Sequence, residues 1–270
     1  MVNHPNRWAL VVAAALAGPS AHAEAMSAFG PGEQSTYRVQ YLGLEAGTAQ
    51  ITVGTETQQW GTSVLPIVTF ARSSTALAFY PIRDRFVTYW DPVSDRSVGS
   101  DLVADENRSR RRQRIKLDHQ AGKAMVMKQK EGEAERTSTH DVERGSFDIA
   151  AATFALRNKP LAVGRSFEMP IFTGTQKFKL KATVEAKETL PTTALGQRET
   201  YRVRVQTAFG GKLESKRDLL AWFTTDESRI PVRIDAEFVL GTLRAELADY
   251  KSGRKYATGG AAAAGGSGDG

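Results

Sequence analysis

Over residues 221–247 apolar and charged residues alternate with a period of two, which suits a half-buried strand and not an amphipathic helix. Ile230, Val232, Ile234, Ala236, Phe238 and Leu240 fall on one side of this pattern, and Arg233, Asp235 and Glu237 on the other. Asp226-Glu227-Ser228 has turn chemistry, and Gly241 lets the chain reverse into a run where Leu243, Ala245 and Leu247 alternate with Arg244 and Glu246. Ala221-Trp222-Phe223 supplies the strand before. Three antiparallel strands with one wet face follow, and their apolar faces need further strands to cover them.

The same grammar recurs upstream. Tyr37, Val39 and Tyr41 alternate with Arg38 and Gln40, and Gly43 to Gly47 closes a hairpin into Ala49, Ile51 and Val53. Residues 61–74 are nearly continuously apolar around Pro66, which argues for a bulge or edge. Phe86, Thr88 and Trp90 alternate with Arg85, Val87 and Tyr89, placing aromatics on both faces. Strands are also expected over 97–104, 110–118, 123–130, 166–172, 176–187 and around Tyr201, Val203 and Val205. Residues 131–145 hold only Val142 as a large apolar residue and predict a solvated loop or frayed hairpin. One segment reads as a helix, 146–157: Ser146 can cap it, Asp148 suits the first turn, Arg157 suits the last, and Pro160 stops it. Phe147, Ala150, Ala151 and Phe154 would share its buried face.

The expected fold class is therefore all-β: one antiparallel barrel or half-barrel of about a dozen strands, spanning 36–250, with one short helix at an end or in the mouth. The N-terminus resembles an export signal, with Arg7, a short apolar run over 8–17 and the small-x-small Ala21-His22-Ala23. A cleaved signal over 1–23, cut after Ala23, is expected, then a flexible arm over 24–35. That apolar run falls short of the ~20 residues a spanning helix needs, so no transmembrane segment is expected in the mature chain. Residues 251–270, rich in Gly and Ala, read as a disordered tail. An outer-membrane barrel is disfavoured, because the wet faces are dense in Lys and Arg and no aromatic girdles recur.

The formal net charge is +6, one less once Arg7 is removed, and there is no cysteine. The lack of thiols excludes disulfides, thiolate catalysis, cysteine-ligated metals and an acylated N-terminal cysteine. Export without disulfides fits a bacterial periplasm, where nucleic acid is a poor partner despite the basic composition.

Tyr37-x-Val39-x-Tyr41 with Gly43 and Ala46-Gly47, the helix with Asp148 and Arg157 followed by Gly164, and Trp222…Asp226…Ile230-Pro231-Val232 with Gly241 resemble the bacterial family called domain of unknown function 3108. The resemblance covers roughly 36–247. It implies an exported, β-rich envelope protein and no established reaction.

Candidate sites are of two kinds. Phe70, Phe86, Trp90, Phe178 and Phe238 are expected to line the interior, either as solid core or, in a barrel wide enough, as an apolar pocket for an acyl chain. Arg111, Arg112, Arg114 and Lys116 lie in the densest positive stretch. As a strand it presents Arg112, Arg114 and Lys116 on one face and Arg111 and Gln113 in line with Ile115 and Leu117. Such a row can attract anionic groups, or can be a wet face balanced by Asp101, Asp105, Glu106 and Asp118. His119 and His140 each adjoin an aspartate, but neighbours on a strand point to opposite faces and no hydrolase motif accompanies them. Asp84, Asp91, Asp226, Glu227 and Asp235 suit turns or salt bridges better than a glycosidase pair. No catalytic residue, metal or cofactor is assigned, and oligomeric state is left open. The leading expectation is a non-enzymatic periplasmic binding or envelope-maintenance protein holding an amphipathic or lipid-like ligand in a concave β face. The alternatives are a scaffold docking an anionic envelope partner through the basic strand, and a hydrolase of envelope glycans or esters.

Overall fold

The protein is described by a computed structural model over residues 26–75, 81–107, 109–209, 212–238 and 241–257; side chains of 208, 209, 212–218 and 238 are left aside. The signal-like segment 1–23 and residues 258–270 of the Gly/Ala tail lie outside the described residues. In chain order the elements are β1 (Gln34–Tyr41), β2 (Leu44–Val53), β3 (Thr57–Gln59), β4 (Thr62–Ser73), β5 (Arg83–Asp91), β6 (Arg96–Glu106), β7 (Ser109–Asp118) and β8 (Lys123–Lys130). There follow β9 (Arg136–Asp141), α1 (Ile149–Arg157), β10 (Ser166–Phe172), β11 (Lys177–Thr192), β12 (Gly196–Phe209), β13 (Lys212–Thr224), β14 (Pro231–Phe238) and β15 (Gly241–Lys251).

All fifteen strands belong to one antiparallel assembly in the order β10-β11-β12-β13-β14-β15-β1-β2-β4-β5-β6-β7-β8-β9, with β3 paired on β4. Neighbours are mostly consecutive hairpins, and the link of β15 to β1 pairs the first strand with the last. Register preserves the alternation along the row: Ala221 faces Ile234, Ile234 faces Ala245, and Ala49 faces Tyr37 and Ala71. A one-residue slip would turn these apolar sets outward, so the sequence pattern itself specifies the pairing.

The sheet rolls up without closing strand to strand; its two ends overlap instead. Phe172 of β10 is buried among Ile115, Leu117, Ala124, Val126 and Val142 from the β7–β9 side. The Gln113 side-chain amide donates to the Thr173 carbonyl at 3.0 Å across the same seam. The free edge of β10 is covered by Phe147, whose N–H donates to Pro170 O and whose carbonyl accepts from Phe172 N–H, both at 2.9 Å. That contact removes a run of unpaired edge groups from water-exposed pairing.

Helix α1 plugs one end of the roll. At nine residues it is too short to persist alone, so its stability comes from packing. Ala151, Ala152, Phe154, Ala155 and Leu156 are buried with Trp90, Val184, Val203 and Phe223 in the largest core cluster. The helix is shorter than the 146–157 expected, because Asp148, not Ser146, is the cap. Asp148 is extended in backbone and its carboxylate accepts from Ala151 N–H at 2.8 Å, whereas Ser146 Oγ donates to Glu143 O.

Two further expectations are corrected. Residues 26–33 of the expected flexible arm are packed: Phe29 is buried edge-on to Trp90 and Phe154, and Glu33 is buried. Residues 252–257 of the expected tail also dock, Tyr256 Oη accepting from Trp90 Nε1 at 3.0 Å. Of the two readings of 131–145, a solvated loop or a frayed hairpin, the structure has the hairpin: β9 forms with an exposed, wholly polar sequence, since pairing to β8 uses backbone groups and an edge strand needs no apolar face.

Candidate functional site

The alternating strands give the roll an inner face, and α1 divides it into two unlike halves. At the helix end the interior is dry: Trp90, Ala182, Val184 and Val203 have no exposure. Arg157 lies here too, its guanidinium bridging Glu33 (Nη1 to Oε1 2.6 Å, Nη2 to Oε2 3.0 Å), with both side chains almost fully buried. It also donates to the carbonyls of Ala28 and Ser228 and sits 5.3 Å from the rings of Phe29 and Phe154. Asp148 accepts from Thr88 Oγ1 at 2.9 Å and Ser97 Oγ at 3.0 Å besides capping α1. Burial pushes its carboxyl above the usual carboxylate range, against the pull of these donors and the Ala151 N–H. The polar groups at this end are thus satisfied by one another, and none is aimed into open space.

The opposite end is a mouth. Counting outward from Thr88 and Trp90, the same inward parity reaches Phe86 on β5, Leu102 on β6 and Ala71 on β4. From Tyr37 and Ile234 it reaches Val39 on β1, Ala236 on β14 and Leu243 on β15. All six are apolar, all remain half-buried, and none belongs to the three core clusters. The inner face therefore stays apolar beyond the point where helix and core fill it. Polar groups appear at the rim: Arg111 faces inward opposite Ala104 and is held by Glu106 at 2.9 and 3.0 Å. Asp84 lies nearby, its carboxyl raised by burial and by a hydrogen bond with Glu106.

The aromatic candidates separate accordingly. Trp90 is solid core and Phe178 is half-buried against it. Phe86 lines the mouth. Phe70 is corrected to the outward face: it pairs with Arg85, not with an inward residue, and is 51% exposed. The continuous apolar run of β4 hid its parity, because the outward Val68 and Phe70 are as apolar as the inward Leu65 and Ile67. Phe238 ends β14 opposite Gly241, and its side chain lies outside the described residues.

On the basic strand the parity is as expected, Ile115 and Leu117 being buried and Arg112 and Arg114 exposed. Arg114 is bound to Asp101 at 2.8 and 3.1 Å, Arg111 to Glu106, and Arg110 to Asp105 at 3.3 Å. Arg112 is exposed and Lys116 half-buried. His119 and His140 do not converge. His119 Nε2 is 2.7 Å from Ser97 O, and its Nδ1 accepts from Gly145 N–H; His140 Nε2 is 2.9 Å from Ser138 Oγ. Asp91 and Asp226 hold their own turns, and Asp235 lies between Arg233 and Arg244. Among the described residues no group of three or more His, Cys, Asp or Glu is placed to hold a metal ion, and no helix is long and apolar enough to cross a membrane.

Sequence reasoning put Ala236 on the apolar face without reading it as a site residue, and it missed the small mouth residue Ala71. It also missed the Glu33–Arg157 pair, whose partners are far apart in the chain and carry no local signal.

Among solved structures, a β-barrel-like protein of a domain of unknown function (DUF1849) from Brucella abortus superposes with a TM-score of 0.57 at 10% identity, covering 84% of this chain and 99% of that one. That likeness shows the barrel-like fold. A candidate exported protein with a YmcC-like fold from Bacteroides fragilis (TM-score 0.32, 9% identity, 85% and 100% covered) and a candidate lipoprotein from Parabacteroides distasonis (0.34, 10%, 84% and 100%) are more distant. No curated protein matches the sequence. The family model described as protein of unknown function (DUF3108) matches residues 36–248, nearly the whole rolled sheet, and the chain belongs to that family.

Proposed function

We propose that this protein is a non-enzymatic periplasmic binding protein that takes an amphipathic, lipid-like ligand through the mouth of its rolled sheet. The observation that carries this reading is the contrast along the inner face: filled and dry beside α1, apolar yet half-exposed at Val39, Ala71, Phe86, Leu102, Ala236 and Leu243. Apolar surface left open to water inside a concavity gains free energy when an acyl chain covers it, by roughly 25 cal/mol per Å² of apolar area removed from water. The charged rim at Arg111, Glu106 and Asp84 suits the polar end of such a molecule. The signal-like N-terminus and the absence of cysteine support a periplasmic address.

A fluorescent fatty acid supplies the test. Wild-type protein should bind it saturably, and Ala236→Trp, which fills the mouth from a position outside the core clusters, should reduce binding at least tenfold with the fold intact by circular dichroism. Absence of saturable binding to the wild type, or equal binding by the variant, overturns the reading.

A further inference from the structure

The geometry points to a second, outward-facing site on β2, β4, β5 and β6 that binds a phosphorylated ligand through Arg72, Arg83 and Arg85. Two adjoining clefts of about 720 and 680 Å3 share Thr48, Arg72 and Arg83, forming one trough that runs along the outer face to the end of β4 and the start of β5. Arg72 and Arg83 stand directly opposite each other across β4 and β5. Like charges placed so are destabilising, and among the described residues no carboxylate comes within ion-pair distance of either.

Many surface arginines are neutralised, though not all: Arg38, Arg96 and Arg112 also lie without an ion pair among the described residues, and the trough differs in bringing three such guanidiniums to one cleft. Arg110, Arg111, Arg114, Arg202, Arg233 and Arg244 all bind an Asp or Glu. In the trough Arg72 Nε instead donates to Thr48 Oγ1 at 3.3 Å, and the Arg85 guanidinium lies 5.8 Å from the centre of the Phe70 ring. The acidic residues lining the trough are Glu45 and Asp84, and the Asp84 carboxyl is turned toward Glu106 at the inner rim. Asp84 Oδ1 accepts from Asp105 N–H at 3.1 Å, and burial with the Glu106 bond disfavours its ionised form. Three guanidiniums, hydroxyl and amide groups from Thr36, Thr48 and Gln50, and one exposed aromatic face together match a polar body bearing phosphate. Each of the two clefts, taken alone, is within the ~300–1,000 Å3 range of small-ligand sites.

This inference does not depend on the mouth being a cavity, and its test keeps the two apart. Titration calorimetry with a soluble bisphosphorylated sugar, fructose 1,6-bisphosphate, and sedimentation with phosphatidylglycerol or phosphatidylcholine vesicles distinguish a free phosphate ester from a lipid headgroup as the source. At least one of the two phosphate probes, the sugar or the phosphatidylglycerol vesicles, should bind, more weakly as salt is raised, with phosphatidylcholine vesicles binding less than phosphatidylglycerol. Replacing Arg72, Arg83 and Arg85 by Gln should weaken that binding by about tenfold per guanidinium removed, while the ligand-free protein melts at the same or a higher temperature because the repulsion is relieved. Arg110→Gln with Arg114→Gln should leave binding within twofold, and Ala236→Trp should leave it unchanged. No binding of either phosphate probe by the wild type, undiminished binding by the triple variant, or an equal loss in the Arg110/Arg114 variant overturns the proposal.

Discussion

Replacing Arg157 by Met should be among the most damaging single changes to this fold. The substitution keeps an unbranched chain of similar length against Phe29 and Phe154 but removes the charge that neutralises Glu33. Glu33 would then be left buried with only the Tyr250 hydroxyl, 3.3 Å away, as a polar side-chain partner. The carbonyls of Ala28 and Ser228 would lose their donors as well. Removing one member of a buried pair costs ~3–5 kcal/mol. At roughly 2–4 °C per kcal/mol for a domain of this size, the melting temperature should fall by about 6–20 °C. The companion Arg157→Met/Glu33→Leu removes both charges, and replacing a buried pair by apolar groups is often neutral, so it should recover most of the loss. Thermal and urea unfolding followed by tryptophan fluorescence measures all four members of the cycle. A melting temperature for Arg157→Met within about 2 °C of wild type, or a double variant no more stable than the single, would refute the reasoning.

Three further outcomes follow from the geometry. Asp148→Asn keeps an acceptor for the helix cap; because the wild-type carboxyl is raised by burial, the native state holds its proton at pH values where the unfolded chain has released it. The stability of wild type relative to the variant should therefore fall as pH rises from about 4 through that elevated value, and a difference independent of pH between urea titrations would contradict this. Asp235 has the opposite sign: burial raises its pKa, but hydrogen bonds from Arg233 and Arg244 outweigh it, so its contribution is present above about pH 4 and lost on acidification; Asp235→Asn should flatten the acid limb of the stability profile, and an unaltered limb counts against the assignment. Gly99 has φ of 150° and a β-carbon there would lie 2.1 Å from Ile115 O and under 3 Å from the Trp60 ring, so Gly99→Ala should cost ~1–3 kcal/mol in urea unfolding, and a loss below about 0.5 kcal/mol would show that β6 and Trp60 yield more easily than their packing implies.

Much of the fold was legible because strand alternation is a local signal that register then makes global. Residues 221–247 specify β13, β14 and β15, since Ile234, Ala236, Leu243 and Ala245 can share one face in only one pairing. What stayed illegible depended on distant partners or on backbone pairing alone. Phe29 and Glu33 look like arm residues until Arg157 and Trp90 are placed beside them, and β9 carries no apolar residue to announce it. The candidate site was read in part. Phe86 and the filled core at Trp90 followed from parity, whereas Phe70 was misplaced because its strand is greasy on both sides and ends among arginines on the outer face. The density of positive charge in β7 drew attention away from Arg72, Arg83 and Arg85, which are scattered in sequence and meet only when β4 pairs with β5.

The most direct test is solvent extraction of the protein purified from its native envelope, followed by mass spectrometry of what is released. A lipid-like amphiphile present in stoichiometric amount, and depleted from Ala236→Trp prepared in parallel, is the result expected of an open apolar mouth. Protein that comes off empty in repeated preparations, or the same amphiphile recovered equally from the filled variant, would mean that the half-exposed inner face holds no ligand.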